Sequence, residues 1–158
     1  CRDGLELLKP IYNVEYLCDL KISDLPNIRK VITNDVIYHR VKHVVTEQKR
    51  TLDARDAMTR LDVDSFAKIL NESHDSLKND YEVTGIHLDT LVEAARSNGA
   101  IGARVTGAGF GGCAIALVEN QKVDEMKKQV KKIYFDKTGI HAQFFDVTFE
   151  DGVCEVNL

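Results

Sequence analysis

The amino-acid sequence predicts an α+β domain in which helices pack on one face of a small four-stranded antiparallel sheet. Up to residue 99, apolar residues recur at the three- and four-residue spacing of amphipathic helices. After residue 100, alternating and short apolar runs indicate strands, with one helical stretch among them. The order of helices, strand, strand, helix, strand, strand favours an antiparallel sheet over alternating βα units.

Length and composition predict one globular domain. The chain has 158 residues, 44 % hydrophobic and 29 % charged, and we place a single domain over residues 1–158. It has no signal-peptide pattern and no apolar run of membrane length, so we expect a cytoplasmic protein without a membrane partner. The net charge of −4 argues against a nucleic-acid partner. Four scattered cysteines predict neither a disulfide framework nor a zinc site, and a first residue other than methionine predicts a piece of a longer protein.

Three helical segments are predicted in the first half, after an N-terminal stretch of 30 residues without a clear pattern. The apolar residues of Ile28–Met58 indicate one long amphipathic helix or two in sequence. Asp64 is the expected N-cap of the next helix, whose apolar stripe spans Phe66–Leu77. The third helix carries the apolar face of Leu88–Ala95 and should end at Gly99, which can adopt the left-handed conformation.

The second half begins with two strands on either side of a glycine-rich loop. Ile101–Thr106 alternates as a half-buried strand does, and Cys113–Val118 is typical of a buried strand. A helix follows from residue 123 and should close near Gly139. Asp151-Gly152 is the turn signal of a β-hairpin. The strands that this turn joins are predicted over Gln143–Phe149 and Val153–Leu158.

The loop Gly107–Gly112 is the most unusual feature of the sequence, because four of its six residues are glycine. It contains G-x-G-x-x-G, but the dinucleotide-binding form of that motif opens a helix, whereas this loop opens a strand. The chain also lacks the lysine-bearing strand of a protein-kinase glycine loop and the Gly-Lys-Ser/Thr of a Walker A motif. Consecutive glycines permit positive φ angles, so a phosphate or a neighbouring loop could approach this backbone closely.

Other polar clusters do not predict sites of their own. Ser73, His74 and Asp80 do not indicate a hydrolytic triad, because adjacent serine and histidine residues on a helix point to different faces. His39 and His43 lack the glutamate of the H-E-x-x-H zinc motif. The lysine cluster of the last predicted helix is typical of a solvated face.

Three stretches resemble the galactokinase family of the GHMP kinase superfamily, and the resemblance extends along the whole chain. The glycine loop with its flanks is similar to the third conserved motif of that family. Other members of the superfamily share the loop but not the two helical stretches, so the resemblance is specific. The stretches are Gly102–Cys113, then His43–Glu47 with Arg50-Thr51, and Asn71–Leu77 followed by Asp80–Val83 and Leu88-Asp89.

The resemblance implies the ferredoxin-like C-terminal domain of an enzyme that transfers the ATP γ-phosphoryl group to the anomeric hydroxyl of galactose. Magnesium then bridges the phosphates. The sugar-recognition motif, the phosphate loop and the aspartate base of the family do not occur in these 158 residues. The resemblance therefore implies that a missing N-terminal domain is the partner of this chain, that galactose, ATP and magnesium bind only in the intact enzyme, and that the chain alone is inactive.

The same resemblance implies no catalytic residue and no metal ligand in this chain, but a lining for the cleft between the two domains. The loop lines the phosphate side or serves packing alone, and Arg104 either pairs with a carboxylate of the missing domain or reaches a phosphate. The implied loop residues are Gly107, Ala108, Gly109, Phe110, Gly111 and Gly112. The implied cleft wall consists of Arg104, Thr106, Ser73, His74, Asp80 and Tyr81.

Two other functions fit the resemblance. A non-catalytic, kinase-like sensor that binds galactose and ATP would share this half of the molecule, and an N-acetylgalactosamine kinase would as well. The sequence of the N-terminal domain would separate the three, because an intact base and phosphate loop favour catalysis.

Overall fold

The computed structural model of this protein describes residues 1–147. Within that range, six α-helices and two β-strands confirm the α+β class. No helix in the described range is both long and apolar enough to cross a membrane. The elements are α1 Arg2–Tyr12, α2 Leu25–Val31, α3 Asp35–Thr59, α4 Val63–Ser76, a π-helical turn Leu77–Tyr81, α5 Gly85–Ser97, β1 Ala100–Thr106, β2 Cys113–Val118 and α6 Val123–Thr138.

The N-terminal 30 residues form α1, two short 3₁₀ turns and most of α2. The helical pattern over Ile28–Met58 belongs to two helices, since α2 ends at Val31 and α3 begins after Asn34. The Asn34 side chain caps α3 by accepting a hydrogen bond from the Ile37 N–H (3.1 Å). These helices enclose one apolar core, which contains Leu8, Leu17, Leu20, Ile28, Ile32, Val41 and Val45.

Helix α4 begins before the predicted N-cap. Asp64 lies in its first turn, and the cap is Asp62, whose side chain accepts a hydrogen bond from the Ser65 N–H (3.0 Å). The reason is the preceding Leu61, whose φ of +56° turns the chain out of α3 directly before Asp62. Both aspartates suit a helix start, because the first turn presents unpaired N–H groups.

The sheet consists of β1 and β2 in antiparallel pairing, with Thr106 opposite Cys113 next to the glycine loop. The prediction of four strands is not confirmed. Residues 143–147 are not in a strand and make no ladder with β1 or β2; Phe144 packs instead against the core beside Met126 and Val130. The rest of the predicted hairpin, including Asp151-Gly152, lies outside the described residues.

Helices α4 and α5 pack against β1, and α6 packs against α5. Gly102 permits the close approach of α4, since a Cβ at this position would lie 2.8 Å from both the carbonyl oxygen and the Cα of Ala67. The packing fixes the strand that leads into the glycine loop. The core between these elements contains Val92, Ala94, Ala95, Ala100, Ala103, Met126 and Val130.

Candidate functional site

The glycine loop, Gly107–Gly112, adopts a backbone that requires its glycines. The φ angles of Gly107, Gly109 and Gly111 are +78°, +84° and +101°. Phe110 is also left-handed, with a φ of +56°, and its side chain is 79 % exposed. A large residue in this conformation is rare and strained, so the surroundings must hold it there.

The loop is held by the segment that connects α4 to α5. The Phe110 N–H donates a hydrogen bond of 2.8 Å to the Val83 carbonyl oxygen. A Cβ on Gly109 would overlap that same oxygen, so only glycine permits this docking. By contrast, a Cβ on Gly107 or Gly111 would meet no atom of the described chain within 4 Å. A neighbouring loop therefore explains Gly109, and open space faces Gly107 and Gly111.

The segment beneath the loop is braced by α3. Helix α4 runs into the π-helical turn Leu77–Tyr81, and the following Glu82 has a φ of +59°. The Arg40 guanidinium donates hydrogen bonds to the Asp80 carbonyl oxygen and to the Glu82 carboxylate. Lys42 Nζ lies 2.8 Å from Asp80 Oδ1. These ion pairs fix the position of Val83 and hence of the docked loop.

Asp80 is almost completely buried and has partners on two elements. The Ser76 hydroxyl donates its proton to Asp80 Oδ2 (3.2 Å). Its oxygen must therefore accept the second hydrogen bond, so His43 Nδ1 donates to Ser76 Oγ (3.0 Å). The His43 ring stacks on Tyr81, with ring centroids 4.6 Å apart. Burial lowers the pKa of His43 despite the opposing charge of Glu47, so the ring is neutral at pH 7.

A shallow groove runs beside the glycine loop. It brings together one residue of the predicted cleft wall, Tyr81, and two residues of the predicted loop lining. The sequence did not point to Arg40, whose guanidinium is paired with Glu82 and lies over the Tyr81 ring, 6.0 Å from its centroid. The groove is lined by Cys1, Arg40, Tyr81, Val83, Ala108 and Phe110.

Arg104 pairs with a carboxylate of this chain. Its Nη1 lies 3.3 Å from Glu47 Oε1 on α3. The Ser73 hydroxyl and Arg50 Nε donate to the same carboxylate, at 2.5 and 2.8 Å. Burial alone would raise the pKa of Glu47, but these hydrogen bonds and charges lower it below its usual value. Ser73 thus faces α3 and not the groove, and Thr106 ends β1 beside the loop.

Side chains of α4 and α5 bond to the edge of β1 that faces away from β2. Asn71 Nδ2 donates to the Ile101 carbonyl (3.0 Å), and Asn71 Oδ1 accepts from the Ala103 N–H (2.9 Å). Arg96 Nη2 donates to the Ala103 carbonyl (2.9 Å). We call Asn71, His74 and Arg96 the edge ladder, because they occupy the place of a neighbouring strand.

His74 forms the last rung of the edge ladder and is 2 % exposed. Its Nδ1 accepts a hydrogen bond from the Val105 N–H (3.4 Å). Burial and the positive charge of Arg96 lower its pKa, so the ring is neutral at pH 7. Ser73 and His74 point to different neighbours, as expected for adjacent helical residues.

The backbone amides of the glycine loop are the groups of this site that could bind an anion. Amides at positive-φ glycines make a concave surface for a phosphate, although the Phe110 and Gly112 amides already bond within the chain. Within residues 1–147, no three histidine, cysteine, aspartate or glutamate side chains gather in a way that could hold a metal ion. The arrangement therefore offers backbone amides that could contact a phosphate.

Comparison with known proteins identifies the family of this chain. The galactokinases of Staphylococcus carnosus and Enterococcus faecalis are each 44 % identical to this chain and cover 97 % and 96 % of it, whereas the chain spans 40 % of their length. A crystal structure of Lactococcus lactis galactokinase complexed with galactose matches 91 % of the chain, and 37 % of that protein, with a TM-score of 0.88 and 39 % identity. The family described as GHMP kinases C terminal matches residues 54–136. Because this match covers more than half of the sequence, the chain belongs to the GHMP kinase C-terminal family.

Proposed function

We propose that this chain is the C-terminal domain of a galactokinase, which transfers the γ-phosphoryl group of ATP to the anomeric hydroxyl of galactose. The similarity to galactokinases along almost the whole chain carries this proposal. The intact protein then contains an N-terminal domain that supplies the base and the sugar contacts. Phosphoryl transfer depends mainly on positioning and on charge stabilisation, so a domain without a base can still contribute to it.

The glycine loop is the part of this chain that serves the reaction. Gly107 and Gly111 have left-handed backbones next to open space, where a phosphate can approach the amides without meeting a side chain. Docking of Gly109 and Phe110 on Val83 keeps the loop in this conformation before ATP binds. Such preorganisation favours the transition state, because no loop ordering is needed at the moment of transfer.

Phe110 and the groove beside it form the surface that meets the N-terminal domain. An aromatic side chain that is 79 % exposed, next to Tyr81, Val83 and Ala108, is an apolar patch of the kind that domain interfaces cover. Arg40 lies beside this patch with its charge paired to Glu82, so the surface offered to the partner domain is mainly apolar. When bound, magnesium would neutralise phosphate charge. We assign no part of magnesium binding to residues of this chain.

The proposal is tested by assaying the full-length protein and the 158-residue chain side by side for galactose-dependent ADP formation. We expect turnover only from the full-length protein, and with galactose in preference to N-acetylgalactosamine. Matched reactions without sugar measure background ATP hydrolysis. Galactose and ATP binding without product would indicate a sensor instead, and preferred turnover of the acetamido sugar would indicate an N-acetylgalactosamine kinase. Turnover by the purified 158-residue chain would refute the assignment of its role.

A further inference from the structure

We propose that His74 is a positioning residue for the glycine loop, which holds the end of β1 through the Val105 amide and is itself oriented by Asp89. The proposal rests on the proposed function only where it concerns ATP. Its structural part concerns three groups that the loop chemistry does not use: a buried imidazole, a strand amide and a carboxylate on α5.

The hydrogen bonds define the tautomer of His74. Nδ1 accepts the Val105 N–H and therefore carries no proton when the ring is neutral. The single ring proton then lies on Nε2, which faces Asp89 Oδ1 at 3.6 Å. A backbone amide on one side and a carboxylate on the other thus fix the orientation of the ring.

Nε2 and Asp89 Oδ1 are buried atoms without a hydrogen-bond partner in the described part of the chain. Burying a donor and an acceptor unpaired is costly, so a pair that faces each other at this distance should close or share a water molecule. The other charges around the ring are Arg96 from α5 and Asp75 and Lys78 on the side of α4. Lys78 Nζ lies 3.3 Å from Asp89 Oδ2 and holds that carboxylate in place.

The hydrogen bond between His74 and Val105 lies close enough to the glycine loop to affect its position. Val105 lies two residues before Gly107, and β1 beyond it continues only through Thr106. The edge away from β2 is held at residues 101 and 103 by Asn71 and Arg96, so His74 is the rung nearest the loop. Loss of its acceptor would release the last part of this edge while leaving the rest of the strand bonded.

The first experiment measures the tautomer directly in the full-length protein. Nitrogen-15 NMR of labelled histidine distinguishes an unprotonated Nδ1 from a protonated one. We expect His74 to show the Nε2–H tautomer at pH 7, and an Asp89→Asn variant to show a changed Nε2 shift. An Nδ1–H signature for His74 would overturn the proposal, whatever the enzymatic activity of the protein.

The second experiment compares His74→Asn with His74→Leu. Asparagine can place its Oδ1 near the position of Nδ1 and restore the acceptor for Val105, whereas leucine of similar size cannot. We expect hydrogen exchange of the Val105 amide to be about tenfold faster in His74→Leu than in His74→Asn, as loss of one hydrogen bond would allow. Equal exchange in the two variants would refute the positioning role.

The kinetic readout separates positioning from general stability. If the loop contacts ATP, His74→Leu should raise the KM for ATP by roughly three- to tenfold with a smaller change in kcat, and His74→Asn should recover most of this. The KM for galactose should stay within about twofold, because the rung supports the phosphate side alone. If exchange at Val105 changes but the KM for ATP does not, the hydrogen bond from Val105 to His74 is confirmed. The phosphate role of the loop is then refuted.

Discussion

Replacing Gly109 by alanine should undock the glycine loop from Val83. Two effects add: a left-handed alanine costs about 1–2 kcal/mol, and the displaced Phe110 N–H···O bond costs about 0.5–1.5 kcal/mol. The expected loss in the free energy of unfolding is thus roughly 1.5–3.5 kcal/mol, or a Tm lower by roughly 3–14 °C. Gly111→Ala is the matched control, because its φ is also positive but its Cβ would enter open space. That variant should lose only the first part, about 1–2 kcal/mol.

The assay is urea unfolding of both variants, followed by steady-state kinetics in the full-length protein. Stability should fall further in Gly109→Ala, by about 1 kcal/mol relative to Gly111→Ala. The KM for ATP should show the opposite order, because the methyl group of Gly111→Ala occupies the space that we assign to a phosphate. Equal stability of the two variants would refute the docking argument. A normal KM in Gly111→Ala would refute the phosphate-lining role.

Three further changes test the frame that carries the loop. Asn71→Ala should lower the free energy of unfolding by about 1–3 kcal/mol, because the Ala103 N–H loses its acceptor; a loss below about 1 kcal/mol in urea unfolding would contradict this. Gly102→Ala should lower the Tm, because its Cβ would meet Ala67 backbone atoms at 2.8 Å; an unchanged Tm would count against the close packing of α4 on β1. Glu47 has a folded-state pKa below its usual value of 4.5, so its stabilisation is present above that pH and is lost as the pH falls through the folded-state pKa. Glu47→Gln should therefore flatten the decline of unfolding free energy between about pH 5 and pH 3, and an unchanged acid slope would show that its ion pairs do not stabilise the fold.

Local patterns in the sequence predict much of the helical part correctly. The apolar period over Ile28–Met58 locates α2 and α3 because each buries one face against the same core. The boundaries are less certain, as the displacement of the cap from Asp64 to Asp62 shows. Two aspartates of equal capping ability stand near the helix start, and the left-handed Leu61 decides between them. No pattern in the sequence predicts that a leucine adopts the left-handed conformation.

The site is only partly predictable, because its contacts connect distant parts of the chain. The glycines reveal a loop with positive φ angles, but sequence alone does not distinguish docking at Gly109 from open space at Gly111. Arg40 resembles any charged residue of an amphipathic helix until α3 places it against the turn that ends at Tyr81. Arg104 was expected to reach outside the chain, and its partner proves to be Glu47 on α3.

The edge ladder also affects the order in which this protein can fold during synthesis. Helices α4 and α5 precede β1 in the sequence, so Asn71, His74 and Arg96 have left the ribosome before the strand that they pair with. One edge of β1 can therefore close as the strand emerges, before β2 has been made. A nascent chain is most prone to aggregation when strand edges stay open. Here only the edge of β1 that pairs with β2 stays open. It stays open only until the glycine loop and β2 have been synthesised.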